Sequence, residues 1–209
     1  MSDTENRPRR AIVQGAVLAA FVMLVAECLR VFVGANFDCV VPGKCYRASQ
    51  PSANFLGQVQ RTHGIRSIVN LRDENEEDAW YLEEKVAAER LGLALVNAGL
   101  NGNEFTPAHE FRKDVKLIDD APEPMLIHCA SGSDRTGLAS AVYLLLRTDT
   151  PLEIARRQLA LRYGHFAWTK KGCLDETLEN YAKWLSKHGR QHNRERFLDW
   201  VDHVYPDAE

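Results

Sequence analysis

The stretch Met125–Leu146, "MLIHCASGSDRTGLASAVYLLL", joins two apolar runs through a short segment of small, polar and charged residues. The first run has the length and composition of a buried strand, and the second has those of a buried helix. Strand, loop and helix in this order are typical of an α/β fold, in which loops at the carboxyl ends of the strands bind ligands. We therefore predict that residues 128–137 form a ligand-binding loop.

The flanking sequence alternates short apolar runs with helical patterns. We expect strands in "KCYRAS", "IRSIVNL", "LALVNAGL" and "PMLIHC", and helices in "SANFLGQVQRTHG", "EEDAWYLEEKVAAERLG" and "TPAHEFRKDVKLIDD". This order predicts an α/β fold with a central, mostly parallel sheet of four to five strands flanked by helices. The last third is predicted to be helical, with one helix in "TPLEIARRQLALRYG" and two more in "LDETLENYAKWLSKHG" and "NRERFLDWVDHVY".

The N-terminal part is far more apolar than the rest of the chain. Residues 11–26 contain only Gln14 as a strongly polar side chain, and the apolar character resumes after Glu27 and Arg30. A helix over residues 11–35 would be about 37 Å long, and a hydrocarbon core is about 30 Å thick. We predict a basic tail at 1–10, a transmembrane anchor at 11–35 and a globular domain at 36–209.

Arginines in the basic tail favour a cytoplasmic N-terminus, which would place the domain outside the cytoplasm, in a periplasm-like compartment. A cleaved secretory signal, giving an exported soluble protein, is an alternative for the same segment. A core helix buried in the domain is another alternative for the segment, and a domain that faces the cytoplasm is the alternative topology.

Charge and cysteine usage exclude several classes of function. The formal net charge of -3 and the pI near 6.2 provide no basic surface for nucleic acid. The five cysteines are too scattered for a disulfide scaffold or a zinc site, so we expect neither a metal nor another cofactor. Cys39 and Cys45 flank a Pro-Gly turn and could pair in an oxidising compartment, with free thiols as the alternative.

The loop has the composition of a phosphate-binding site. A helix N-terminus presents unpaired N–H groups and a positive dipole end to an anion. Glycine and small residues allow backbone amides to turn inward, and an arginine can form a bidentate pair with phosphate oxygens. The predicted phosphate-binding residues are Ala130, Ser131, Gly132, Ser133, Asp134 and Arg135.

Cys129 lies at the start of this loop. The positive field that binds an anion also favours the thiolate, so Cys129 is a candidate nucleophile that would form a phosphocysteine. Thr136 can donate a hydrogen bond to the departing sulfur, and Arg135 can stabilise the transferred phosphoryl group. His128 is predicted to support the loop rather than to act in catalysis.

The segment "HCASGSDRTG" resembles the H-C-x-x-G-x-x-R-[ST]-G signature of cysteine-dependent protein phosphatases, in the dual-specificity branch. "YRASQPS" and "GIRSIVNLR" extend the resemblance to compact atypical members of plant, fungal and bacterial origin. It covers residues 40–147 well and the helical tail more loosely. The resemblance implies phosphate-ester hydrolysis without a metal.

The leaving group requires a proton donor, and the residues offer three candidates. Asp134 is the first, because the sequence resembles myotubularin-like lipid phosphatases and some bacterial tyrosine phosphatases in having Asp at this position. Asp73 and Glu104 are weaker candidates. For Asp134 the alternative is a helix-capping carboxylate, and for the other two it is a solvated charge.

We expect a protein tyrosine or dual-specificity phosphatase, whose partner is a phosphorylated protein. A phospholipid or phosphoinositide phosphatase is the close alternative, because a membrane anchor brings lipid phosphates within reach. A catalytically inactive phosphate-binding module is the third possibility. The sequence does not indicate an oligomeric state.

Overall fold

A computed structural model describes residues 6–102, 104–166 and 172–206, so the first five residues of the predicted basic tail lie outside it. Five strands are present: β1 (Asp38–Val41), β2 (Cys45–Ala48), β3 (Ser67–Asn70), β4 (Ala94–Asn97) and β5 (Met125–His128). The helices are α1 (Asn6–Phe32), α2 (Ala53–His63), α3 (Ala79–Leu91), α4 (Ala108–Asp120), α5 (Asp134–Arg147), α6 (Leu152–Ala155), α7 (Gly172–Lys187) and α8 (Arg194–His203). Short 3-10 turns cover Arg156–Gln158 and Leu161–Tyr163.

The strands form one sheet in the order β1-β2-β5-β3-β4. Strands β2 to β5 pair in parallel, while β1 runs antiparallel to β2 at the edge. The predicted, mostly parallel sheet with flanking helices is therefore confirmed. Strand β5 lies in the centre between β2 and β3, so the loop that follows it is bordered by the ends of both neighbours.

Alternate residues of the strands pack into two cores. On one face, Tyr46, Ile68 and Leu126 contact apolar side chains of α2 and α3. On the other face, Val69 and Ile127 belong to a larger cluster that includes α4, α5, α7 and α8. This period of two is the expected consequence of strand geometry, and it places the sheet as the middle of three layers.

The helix expected over residues 150–164 is the main difference from the sequence-based expectation. Only Leu152–Ala155 is α-helical, and two 3-10 turns follow. The buried side chain of Arg47 donates hydrogen bonds to both the backbone oxygen and the side-chain oxygen of Gln158. A Cβ on Gly137 of α5 would lie 2.8 Å from the Gln158 carbonyl oxygen, so tertiary packing overrides helix propensity here.

Helix α1 contains the predicted apolar segment. Residues Ile12–Val31 are long and apolar enough to cross a membrane, with a mean hydropathy of 2.2. Side chains from Ile12 to Leu24 do not enter the domain core; Phe21, for example, is 61% exposed. Cys39 and Cys45 are both free thiols in the structure.

Candidate active site

The loop between β5 and α5 begins at Cys129 and ends where α5 starts at Asp134. Cys129 is only 2% exposed, so its sulfur lies at the base of the loop. Gly132 has a φ of 73°, and a Cβ there would lie 2.6 Å from the Ser49 backbone nitrogen. Glycine is required at this position because both the positive φ and the close approach to the end of β2 exclude a side chain.

Four consecutive carbonyl groups of the loop, those of residues 130–133, accept hydrogen bonds from groups on its outer side. Gln50 N–H donates to Ala130 O, Asn36 Nδ2 donates to Ser131 O, and Arg47 Nη2 donates to both Gly132 O and Ser133 O. In a trans peptide, C=O and N–H point in opposite directions. We therefore infer that the N–H groups of residues 131–134 face the inner side, and that of Gly132 donates to Cys129 Sγ at 3.3 Å. Such a ring of amides is an anion-binding cavity.

Arg47, on β2, is fully buried behind the loop. Its guanidinium donates to Gly132 O at 2.8 Å and to Gln158 Oε1 at 2.7 Å, and it stacks on the Tyr163 ring at 3.6 Å. Burial lowers the pKa of Arg47 to about 10, so the side chain stays cationic at neutral pH. It therefore holds two peptide units of the loop and adds positive charge behind them.

The environment of Cys129 favours its thiolate. Burial alone would raise the pKa of the thiol, but the Thr136 hydroxyl, the Arg135 charge and the backbone N–H groups of Thr136 and Gly132 act against it. Together they hold the pKa of Cys129 below its usual value. A lowered pKa increases the fraction of thiolate near neutral pH, and the thiolate is the form that attacks phosphorus or carbon electrophiles.

His128 supports the loop through a buried contact with a carboxyl group. Its Nε2 lies 2.6 Å from Glu84 Oε1, and both side chains are fully buried. Gln50 donates to the other Glu84 oxygen at 3.0 Å and accepts from Arg72 at 2.7 Å. The Arg72 guanidinium also stacks on the Trp80 ring at 3.5 Å. This network connects α3 and the end of β3 to the residue before Cys129.

Arg135 is positioned by a backbone carbonyl of a neighbouring strand end. Its Nη1 donates to Leu71 O at 3.0 Å. Burial and the positive charge of Arg135 both lower the pKa of Arg72, which places two cations near the mouth of the loop. A Cβ on Gly102 would lie 3.3 Å from Arg135 Cδ, so the segment after β4 passes over this arginine.

The three candidate acids lie in different environments. Asp134 is at the first position of α5, with a side chain that is 20% exposed, and its Oδ1 lies 2.8 Å from Nδ1 of His165. Asp73 follows β3 with a φ of 63°, and its Oδ1 accepts from the Glu74 N–H. Glu104 is exposed on the segment after β4. Only Asp134 belongs to the loop itself.

Several residues that shape the site had no role in the sequence analysis. These are Asn36, Arg47, Gln50, Arg72, Glu84 and His165, most of which act on backbone carbonyls or on other buried side chains. The one available signal was Arg47, a charged residue inside a predicted buried strand. Within the described ranges, no His, Cys, Asp and Glu side chains are arranged to hold a metal ion.

A loop that directs a backbone N–H at a buried cysteine of lowered pKa, after the central strand of a mostly parallel sheet, is characteristic of the class of cysteine-dependent phosphatases. Residues 34–169 match the family described as "Swiss Army Knife protein, DSP-PTPase phosphatase domain". The chain belongs to this family, and the family expected from the sequence is confirmed.

Known proteins of the same class resemble the chain at moderate identity. It is 29% identical over 147 residues to the inositol diphosphatase SIW14 of Saccharomyces cerevisiae. The aligned region covers 68% of this chain and 48% of that protein. The chain thus spans about half the length of this relative.

Solved structures show the same fold. The catalytic core of SIW14 from S. cerevisiae superposes with a TM-score of 0.53 at 23% identity, covering 74% of this chain and 93% of that one. TpbA of P. aeruginosa superposes with a TM-score of 0.52 at 17% identity, covering 71% and 86%.

Proposed function

We propose that Cys129 is the nucleophile of a phosphate monoester hydrolase that works through a phosphocysteine intermediate. The observation that carries this proposal is the loop around its sulfur, in which the Gly132 N–H donates to Cys129 Sγ and the carbonyls of residues 130–133 are bound from outside. The thiolate attacks phosphorus, the ester P–O bond breaks, and the leaving oxygen takes a proton. Water then attacks phosphorus, the S–P bond breaks, and phosphate and the thiolate are released.

Arg135 and Thr136 have distinct tasks in this proposal. The Arg135 guanidinium pairs with two oxygens of the transferred phosphoryl group. Its positive charge stabilises the transition state in which the P–O bond breaks. The Thr136 hydroxyl stabilises the thiolate as the S–P bond breaks in the second step.

Asp134 is our proposed proton donor to the leaving group. It is in the loop and reaches solvent, whereas Asp73 Oδ1 is taken up by a local backbone bond and Glu104 is on an exposed segment. The test is Asp134→Asn, which should slow esters of poor leaving groups by about 10² or more. An equal rate for Asp134→Asn and the wild type on such an ester would remove Asp134 from this role.

For the substrate, we propose a singly phosphorylated protein, on tyrosine or with dual specificity. Between Cys129 and Arg135 the loop carries no cationic side chain, and Asp134 adds a negative charge at its rim. Such a loop suits one phosphate group better than a densely phosphorylated ligand. The relative named as an inositol diphosphatase makes an inositol diphosphate the competing substrate to be tested.

A phospholipid phosphatase is the second candidate, and a specific contact favours it. Asn36 lies four residues after α1 and donates to Ser131 O at 3.0 Å, so the apolar helix ends close to the loop. Exposed apolar side chains along α1 are unfavourable in water, and we propose that α1 anchors the chain in a membrane with the domain outside the cytoplasm. The loop would then lie near the lipid phosphates.

The test is phosphate release by the full chain in lipid nanodiscs under reducing conditions, with Cys129→Ser as the matched control. The panel contains phosphotyrosine and phosphoserine peptides, phosphatidylglycerophosphate, a phosphoinositide and an inositol diphosphate. Turnover that vanishes in Cys129→Ser supports the mechanism, and the preferred substrate decides between protein and lipid. Vanadate binding without turnover on any substrate would instead indicate an inactive phosphate-binding module.

A further inference from the structure

His165 lies between two carboxylates, one of which belongs to the loop. Its Nδ1 is 2.8 Å from Asp134 Oδ1, and its Nε2 is 2.7 Å from Asp175 Oδ2 on α7. The His165 side chain is only 2% exposed, so both contacts are shielded from water. Because the two carboxylates bind opposite ring nitrogens, they do not converge on one point as ligands of a metal ion would.

We propose that His165 is a positioning residue that stores the proton which Asp134 delivers to the leaving group, and that Asp175 holds His165 in its protonated form. This inference rests on the proposed role of Asp134 as the acid. A carboxyl group alone is ionised at neutral pH and has no proton to donate. A buried imidazolium in direct contact with Asp134 supplies one.

The number of protons on the enzyme is the same before and after the two chemical steps. In the first step, the ester P–O bond breaks as Nδ1 of His165 passes its proton to Asp134 and Asp134 passes a proton on to the leaving oxygen, which leaves the pair without a proton. In the second step, attacking water gives its hydroxyl to phosphorus and its proton to Asp134, which returns it to His165. The Asp134–His165 pair therefore starts and ends each turnover with one proton.

The charges around His165 favour this storage. Burial opposes the charged imidazolium, but the hydrogen bonds and negative charges of Asp134 and Asp175 outweigh burial and raise the pKa of His165 to about 9. Among the residues that the structure describes, these two carboxylates, one from α5 and one from α7, are the charged groups that raise the pKa of the ring. A proton held in this way remains available to Asp134 until the pH rises through about 9.

The experiment measures the burst of alcohol release by the full chain as a function of pH, because the burst reports the first step alone. Phenyl phosphate supplies a poor leaving group and p-nitrophenyl phosphate a good one. The variants are His165→Gln, Asp175→Asn and Asp134→Asn. His109→Gln, an exposed histidine on α4, is the matched control.

For the wild type, we expect the phenyl phosphate burst to persist until the pH approaches about 9. In His165→Gln, the basic limb should move towards the range of an ordinary carboxyl, and the phenyl phosphate burst near neutral pH should fall about 10²-fold. The p-nitrophenyl phosphate burst should change by less than about threefold, since a good leaving group needs little protonation. Asp175→Asn should give an intermediate shift of the limb.

Equal losses on the two substrates would assign His165 a purely structural role and overturn the proposal. So would an unmoved basic limb in His165→Gln, or a His165 imidazole that titrates by NMR near its ordinary value. Failure of the proposed function looks different. In that case Cys129→Ser keeps its turnover, or Asp134→Asn shows no dependence on the leaving group.

Discussion

Arg47→Met is the substitution that most directly separates loop geometry from overall stability. Methionine fills a similar volume, but it removes the donors that hold the carbonyls of Gly132, Ser133 and Gln158. If these bonds orient the amides of the loop, the variant will fold and yet bind phosphate poorly.

The expected change in stability is small because two effects oppose each other. Leaving the buried carbonyls of Gly132 and Gln158 without this partner costs about 1–3 kcal/mol each. Removing the guanidinium relieves the burial that lowers the pKa of Arg47 from its ordinary value to about 10, which corresponds to about 3 kcal/mol. The net change in the free energy of unfolding then lies between a gain of about 1 kcal/mol and a loss of about 3 kcal/mol.

The expected change in activity is much larger. Arg47 fixes the peptide units that carry the N–H groups of Ser133 and Asp134, and each hydrogen bond to a charged phosphate oxygen contributes about 1.5–3 kcal/mol. Losing both lowers kcat/KM by about 10²- to 10⁴-fold.

The assay compares kcat/KM on p-nitrophenyl phosphate, vanadate affinity and thermal unfolding. Arg157→Met, an exposed arginine on the adjacent turn, is the control. If Arg47→Met retains kcat/KM within about threefold of Arg157→Met, the carbonyl contacts do not orient the loop and the reasoning is wrong.

Three further predictions follow from single positions. The pKa of Cys129 is lowered, whereas burial raises the pKa of Cys39. Iodoacetamide should therefore alkylate Cys129 at a lower pH than Cys39, as measured by mass spectrometry. The reverse order would contradict the electrostatics of the site. Gly132→Ala should abolish phosphate binding in a folded protein, since its Cβ would lie 2.6 Å from the Ser49 nitrogen, and normal vanadate affinity would refute this. Burial raises the pKa of Asp114 to about 7, so its ionisation weakens folding as the pH rises from about 4 to about 7. Asp114→Asn should therefore raise the melting temperature at pH 8 more than at pH 5, and equal shifts would argue against this.

The sequence predicted the fold and the central part of the site because both depend on local patterns. Alternating apolar runs specify the strands, and the Cys129-to-Arg135 spacing after a buried strand specifies the loop. The edge strand β1 was not among the four strands assigned to the sequence, since its four residues include an exposed cysteine and its apolar run, Cys39–Val41, is only three residues long. The helix expected over 150–164 was wrong because its Gln158 oxygens are taken by Arg47 from another element.

The groups that hold the loop could not be predicted, because their partners are backbone carbonyls. Every residue has the same backbone carbonyl, whatever its side chain. Nothing in residues 129–133 therefore indicates that Asn36, Gln50 and Arg47 will bind there. Likewise, His165 is far from Asp134 in the chain, and it directly follows the segment that was expected to form a helix over 150–164. These contacts are set by topology rather than by local propensity.

Asn36 shows how the loop is connected to the apolar helix. Its side chain is fully buried and donates to Ser131 O and to Tyr163 O, while its Oδ1 lies 3.4 Å from Nη1 of Arg30 in the last turns of α1. Its φ of 45° lies in the left-handed region, which asparagine tolerates better than most residues. A rotation of α1 about this point would act on the peptide that presents the Gly132 N–H to Cys129. If α1 spans a membrane, as proposed, Asn36 connects the loop to the membrane-spanning helix, together with the bond from Arg30 Nη2 to Arg162 O at 2.6 Å.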